Sequence, residues 1–380
     1  MSQYKILDMI DISQLYDHDM PALYAKLSSL KKSYYEPNEK IVIQLYEMEF
    51  YYRDHPVGFT SHNLATLISR TDIDPSVFVI YTNQIEYQKV VDNLFAYSDS
   101  KPTVIFVQLA SVSYPFMLNN PSIATGNNKS IKYPAFCLLG KPRVHKEMLF
   151  KFFTYEKLED KIHTNFNTVP NIIAVSGVST GEYPQDMQNF GLVYAQPYRM
   201  NETWMQGKVI EELKKYTEVE IPEAFLHPNL PAEKVTVYPI GEVPNEEYQF
   251  IKDYAFCVVP ESQFAMPTPW FSEKTYRCFQ FMLPFVVVGT ARILETCQKL
   301  GYKTFSDYWD ESYDQIQDHQ ERFLAVTQLI KTLANKPIEE LTAMYNDMLP
   351  ILQHNQNVVN EYIDKTHKEL YNQYSVPYVR

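Results

Sequence analysis

The chain has 380 residues, more than one ordinary core takes and the usual size for two domains, and its apolar fraction of 45% is that of a globular protein. No run reaches the roughly 18 uncharged apolar residues of a membrane helix, and the start, Met1 to Lys5, lacks the apolar stretch of a secretion signal, so the expectation is a cytoplasmic protein without membrane contact. A net charge of −12 argues against a protein that coats nucleic acid with its whole surface.

From the N-terminus, near-continuous apolar runs at residues 41–46, 77–81 and 103–109 predict strands buried on both faces of a parallel sheet, with helices between them. The turn-forming stretch from Thr125 to Ser130 breaks the pattern and predicts a linker. Alternation then restarts: strands at 135–139, 171–175, 235–238, 254–259 and 285–288, and helices at 144–153, 204–216, from Ser272, and at 291–300. From Tyr313 to Tyr374 only helical periodicity remains, with breaks expected at Pro337 and Pro350. Strands alternating with helices of this length predict two Rossmann-like, doubly wound α/β domains and a C-terminal helical tail. The expected boundaries are 1–128, 129–335, and 336–380 folding back on the first domain. Cys137, Cys257, Cys278 and Cys297 each sit in an apolar run, with no Cys-x-x-Cys pair, which predicts reduced, buried thiols and no zinc site.

In open parallel sheets, ligands bind beyond the carboxyl ends of strands, where helix N-termini favour anions. Two stretches fit that rule. Leu139-Gly-Lys-Pro-Arg-Val-His-Lys146 follows a strand and opens a helix; Gly140 permits a tight turn, Pro142 suits a helix start, and Arg143 and Lys146 bring cations to a phosphate. Residues 129–151 carry six cations against Glu147 alone, a window suited to an anion or to an ordinary solvated face. In the second stretch Ser272 is a helix N-cap, Glu273 suits the helix dipole, and Lys274 does not unless an anion compensates it; a solvent-facing lysine is the alternative. Glu261, ending the strand from Tyr254, points toward the same region as a carboxylate suited to ribose or sugar hydroxyls. Asp17-His-Asp19 and Asp72-Ile-Asp74 match the Asp-x-Asp of metal-dependent sugar transferases, but neither follows an apolar strand, so chance explains them better.

Tyr254-Ala-Phe-Cys-Val-Val-Pro-Glu-Ser262, Phe271-Ser-Glu-Lys-Thr-Tyr276 and Leu283-Pro-Phe-Val-Val-Val-Gly289, in that order, resemble the donor-site signature of the α1,3-fucosyltransferase-like glycosyltransferases. The turn at Gly140, Gly301-Tyr-Lys-Thr-Phe305 and Asp310-Glu-Ser-Tyr-Asp314 resemble glycosyltransferases encoded by tailed phages, and the resemblance spans roughly residues 135 to 325. It implies a GT-B fold, a UDP- or GDP-linked sugar as donor substrate, and no cofactor or essential metal. Residue by residue, Glu273 resembles the ribose-binding carboxylate, Lys274 and Arg143 the cations on the diphosphate, and Glu261 the carboxylate near the donor. Ser262 stands where the family often has Asn, and Ser272 where it has Thr; neither change removes a charge.

Glycosyl transfer builds negative charge on the departing diphosphate, which Lys274, Arg143 and helix-start amides can offset without a metal. The general base is expected on the first domain, at Glu47 or Glu49, with Asp54 and His55 as further candidates. The phage resemblance implies 5-hydroxymethylcytosine in double-stranded DNA as acceptor, with arabinose or glucose as the sugar. A surface glycan or protein acceptor, or a non-catalytic nucleotide- or glycan-binding protein, are the alternatives.

Overall fold

The computed structural model describes residues 5–11, 20–45, 61–82, 86–106, 129–140, 144–167, 211–220, 224–227, 230, 250–261, 264, 269 and 272–374. The chain divides into two compact units.

In the first unit, strands β1 (Lys5–Asp11), β2 (Glu39–Leu45), β3 (Phe78–Thr82) and β4 (Thr103–Phe106) form a parallel sheet in that order, connected through helices α1 (Met20–Ser29), α2 (Ser61–Arg70) and α3 (Tyr87–Leu94). Ile41, Val42 and Ile43 of β2 and Phe78, Val79 and Ile80 of β3 are all buried, as expected for β-branched and aromatic runs covered on both faces. Leu64, Leu67 and Ile68, at helical spacing on α2, join Val90 and Val91 of α3 in this core. Each such side chain contributes about 1.5–3 kcal/mol of burial free energy. Asp72 and Asp74 are structural here: Asp72, at φ 51°, pairs with Lys31 at 3.1 Å, and the Asp74 carboxylate accepts from Ser76 N at 2.8 Å.

The second unit holds a five-stranded sheet in the order β7-β6-β5-β8-β9, from β5 (Tyr133–Gly140), β6 (Ile162–Asn167), β7 (Ala224–Leu226), β8 (Tyr254–Pro260) and β9 (Phe285–Val288). All pairs are parallel except β6 with β7. Its helices are α4 (Val144–Tyr155), α5 (Glu211–Thr217), α6 (Glu273–Gln280), α7 (Ile293–Lys299), α8 (His319–Ala334) and α9 (Ile338–Tyr374), the last running on into the first unit from Thr366. From β5 the chain winds outward to β6, then returns to β5's other side at β8 and winds outward again to β9, so strand order reverses between β5 and β8. This sheet is doubly wound, and its switch point is the crevice beyond the carboxyl ends of those two strands.

All four cysteines are free and buried. The break expected at Pro337 is present, but the helix runs through Pro350. Proline removes one backbone donor and crowds the preceding turn. In that turn the Asp347 carbonyl accepts from the Tyr308 hydroxyl at 2.9 Å, and α9 is further tied to this unit by Asn355, which bonds both the amide and the carbonyl of Lys303. Among the described residues no helix is long and apolar enough to cross a membrane. The strands expected at 171–175 and 235–238 lie outside the described residues.

Candidate functional site

At the switch point, β5 ends at Gly140 and α4 begins at Val144, while β8 ends at Pro260 and α6 begins at Glu273. Glu261, the next residue after β8, is fully buried and is held in line by its amide, which donates to Val288 O of β9 at 3.0 Å. Its carboxylate turns to the start of α6. Ser272 N donates to both oxygens, at 3.1 and 3.0 Å, and the Thr275 hydroxyl donates to Oε1. Ser272 then caps the helix through its own hydroxyl, which accepts from Lys274 N at 3.3 Å. The Glu261 carboxyl group therefore sits at the N-terminus of α6, where the helix dipole and free amides favour an acceptor.

Gly289, just after β9, borders this group. A Cβ at Gly289 would stand 3.2 Å from Ile293 Cδ1, a tight contact, and 3.4 Å from Glu261 Cβ, an ordinary one.

From the other side of the crevice, the His145 Nε2–H donates to the Glu261 carbonyl at 2.8 Å, which fixes the proton on that nitrogen because a carbonyl can only accept. The buried imidazole stacks on Phe264, with centroids 5.4 Å apart. Arg322 lies over the opposite partner of this stack, its guanidinium 4.6 Å from the Phe264 centroid. Its donors reach Phe264 O (2.7 Å), Gly289 O (3.1 Å), Ile316 O (2.8 Å) and Gln317 O (3.2 Å). Burial lowers the guanidinium to about 10, opposed by Asp314 and Asp318, so it stays charged at neutral pH. One arginine thus fastens three connecting segments around the crevice.

Lys146 is buried and donates to Leu139 O at 2.7 Å, closing the carbonyl edge of β5. Lys274, half-buried on the first turn of α6, borders a cavity of about 30 Å³ with Phe136, Leu138 and Arg277, which has room for little more than one water.

Of the expected site residues, Glu261, Ser272 and Lys274 form one bonded group, and Lys146 follows the histidine that bonds Glu261. Glu273 opens α6. Arg143, Glu47, Glu49, Asp54, His55 and the side chain of Glu273 lie outside the described residues, as does Asp17-His-Asp19. His145, Thr275 and Arg322 were not singled out in the sequence. Thr275 carries a local signal, standing three residues after the N-cap; Arg322, 61 residues beyond Glu261, carries none.

No protein-family model and no curated protein matches the chain. Two solved structures resemble it over 94% of its length: the N-terminal domain of Candida albicans trehalose-6-phosphate phosphatase, at 10% identity and a TM-score of 0.39 over 75% of that chain, and an alpha,alpha-trehalose-phosphate synthase (UDP-forming) from Burkholderia vietnamiensis, at 11% identity and a TM-score of 0.40 over 78% of that chain.

Proposed function

We propose that this chain is a glycosyltransferase that holds a UDP- or GDP-linked sugar at the carboxyl edge of its second sheet. One observation carries the reading: three residues of the donor-site signature, Glu261, Ser272 and, through its backbone amide, Lys274, form a bonded group that His145 joins at the Glu261 carbonyl, at the topological switch point where open α/β sheets bind ligands.

In this reading Lys274, Lys146 and Arg143 supply the positive charge that offsets the growing charge of the diphosphate leaving group, without a metal. Glu273 holds the ribose, and Glu47 or Glu49 takes the acceptor's proton. Glu261 acts through α6, fixing the turn that carries Ser272 and Lys274. For the acceptor, 5-hydroxymethylcytosine in phage DNA rests on the phage resemblance alone. The basic window lends it little support, because Lys129, Lys132 and Lys151 are engaged internally. Lys129 donates to Tyr254 O at 2.8 Å and burial lowers its ammonium to about 7; Lys132 pairs with Asp253 at 3.2 Å, and Lys151 with Glu147 at 3.3 Å.

Calorimetry with UDP, GDP, TDP and CMP tests the donor site. One nucleotide should bind, and Lys274→Ala should weaken it about tenfold, the loss of one charge-assisted contact. Binding by none of them, or equal binding by the variant, would remove the basis of the proposal. Incubating the enzyme and the matching nucleotide sugar with hydroxymethylated DNA, read by nucleoside mass spectrometry, decides the acceptor: no mass gain with any donor excludes DNA and leaves a glycan or protein.

A further inference from the structure

We infer that His145 is the positioning residue of the donor site: it sets the distance between the start of α4 and the start of α6, and so matches the crevice to a diphosphate rather than to a single phosphate. This rests on the donor-site reading and names the part of the ligand that the crevice distinguishes.

Strand pairing does not fix that distance. β5 and β8 run in register from Tyr133 and Tyr254 to the pair Cys137 and Val258, which stands three residues before Glu261. Beyond that pair the two strands no longer bond to each other, and the crevice opens between them. The bond from His145 Nε2–H to the Glu261 carbonyl, at 2.8 Å, spans the opening. Glu261 carries the connection onward: its carboxylate accepts from Ser272 N at 3.1 and 3.0 Å, and the Ser272 hydroxyl caps α6 at Lys274 N. Its amide, donating to Val288 O at 3.0 Å, anchors the middle of this path to β9. The first turns of α4 and α6 are therefore joined through one residue, with Lys146 next to the histidine on one side and Lys274 two residues after the cap on the other.

The imidazole is held so that it cannot swing. It is buried, lies nearly parallel to the Phe264 ring at an interplanar angle of 15°, and Phe264 in turn packs edge-on against Phe323 of α8 at 5.9 Å. A donor locked by packing keeps its acceptor at one distance, which is what a preorganised site needs from its supporting residues. Burial and the engaged Nε2 also keep the histidine off the ligand, so it acts through α4 and Glu261 and not by contact. A nucleoside diphosphate presents two phosphoryl groups, one for each side of the crevice. A monophosphate presents one and gains little from the spacing of the two sides.

UDP, GDP, UMP and GMP are titrated by calorimetry into the full chain and two variants of it. His145→Phe keeps a ring on Phe264 and deletes the donor; His145→Gln restores an N–H near the same place. The unaltered chain should prefer the diphosphate of its nucleotide over the monophosphate. His145→Phe should weaken the diphosphate about tenfold and the monophosphate less than about threefold, and His145→Gln should return the ratio to within about threefold of its starting value. A histidine that served only folding would lower both affinities alike and leave their ratio unmoved. A ratio unchanged in His145→Phe, or not restored by His145→Gln, overturns the inference and leaves the donor-site reading standing. Binding of none of the four nucleotides by the unaltered chain sinks that reading and this inference with it. A second measurement needs no variant: in hydrogen exchange the diphosphate should protect residues 144–150 and 272–280 together and the monophosphate only one of the two segments, and equal protection of both by the monophosphate would overturn the assignment.

Discussion

Removing the Glu261 carboxylate is the sharpest perturbation of the second sheet. In Glu261→Ala, Ser272 N and the Thr275 hydroxyl lose their acceptor, and both residues are buried, at 2% and 1% exposure, so water replaces it poorly. Each stranded donor costs about 1–3 kcal/mol. The lost interaction between the carboxylate and the α6 dipole adds about 0.3–2 kcal/mol. The expected destabilisation is therefore about 2–8 kcal/mol. Glu261→Gln keeps one carbonyl oxygen in place, which should recover about half of that. Urea unfolding, with hydrogen exchange of α6 to assign the transition to the second unit, measures the difference. A shift below about 0.5 kcal/mol for both variants, the range of ordinary surface changes, would refute the view that Glu261 anchors the helix. If nucleotide affinity alone fell, Glu261 would instead be a direct ligand contact.

The Arg322 fastening should behave as one unit: Arg322→Met leaves the carbonyls of Gly289, Phe264, Ile316 and Gln317 without their donor and should cost about 3–5 kcal/mol in urea unfolding, with partial recovery in Arg322→Lys, whose ammonium cannot reproduce the planar fork. Gly289→Ala should cost no more than about 1.5 kcal/mol, because the new methyl stands 3.2 Å from the end of the Ile293 side chain, which can turn away, and in ordinary contact with Glu261; a larger fall in the thermal midpoint would show that Ile293 cannot yield. At the amino edge of the second sheet, His163 and His227 stack at 3.6 Å and His163 Nδ1 shares a 2.6 Å hydrogen bond with the Tyr254 hydroxyl. Burial and then His227 lower His163 from 6.5 to about 4, with Asp160 opposing; burial lowers His227 as well. Both imidazoles are thus favoured neutral in the fold, so their stabilisation is complete above pH 6.5 and is lost as pH falls toward 4, by about 1–3 kcal/mol after allowance for solvent screening. His163→Gln should flatten the stability profile across that window; an unaltered slope would remove His163 as its cause.

The central strands were legible because a strand buried on both faces leaves a long apolar run: β8 and β9 were expected at residues 254–259 and 285–288 and span Tyr254–Pro260 and Phe285–Val288. β6, Ile-His-Thr-Asn-Phe-Asn, was not read, because its polar residues are satisfied by tertiary partners that the sequence does not reveal, such as the Tyr254 hydroxyl on His163. β7, three residues long, is too short to show a period. Pro350 misled for a related reason, since propensity marks it as a breaker while packing of α9 on the second unit keeps the helix running. At the site, the Ser272 cap and the position of Glu261 could be read from the sequence; the Glu261–Thr275 bond and the reach of Arg322 are long-range, and only the folded sheet brings those residues together.

Hydrogen exchange of the full chain with and without the tightest-binding nucleoside diphosphate tests the donor-site proposal most directly. Added protection should appear at the start of α6, residues 272–280, and at the start of α4, residues 144–150, the two helices that open on the switch point. Protection confined to other segments, or none at saturating nucleotide, would contradict it.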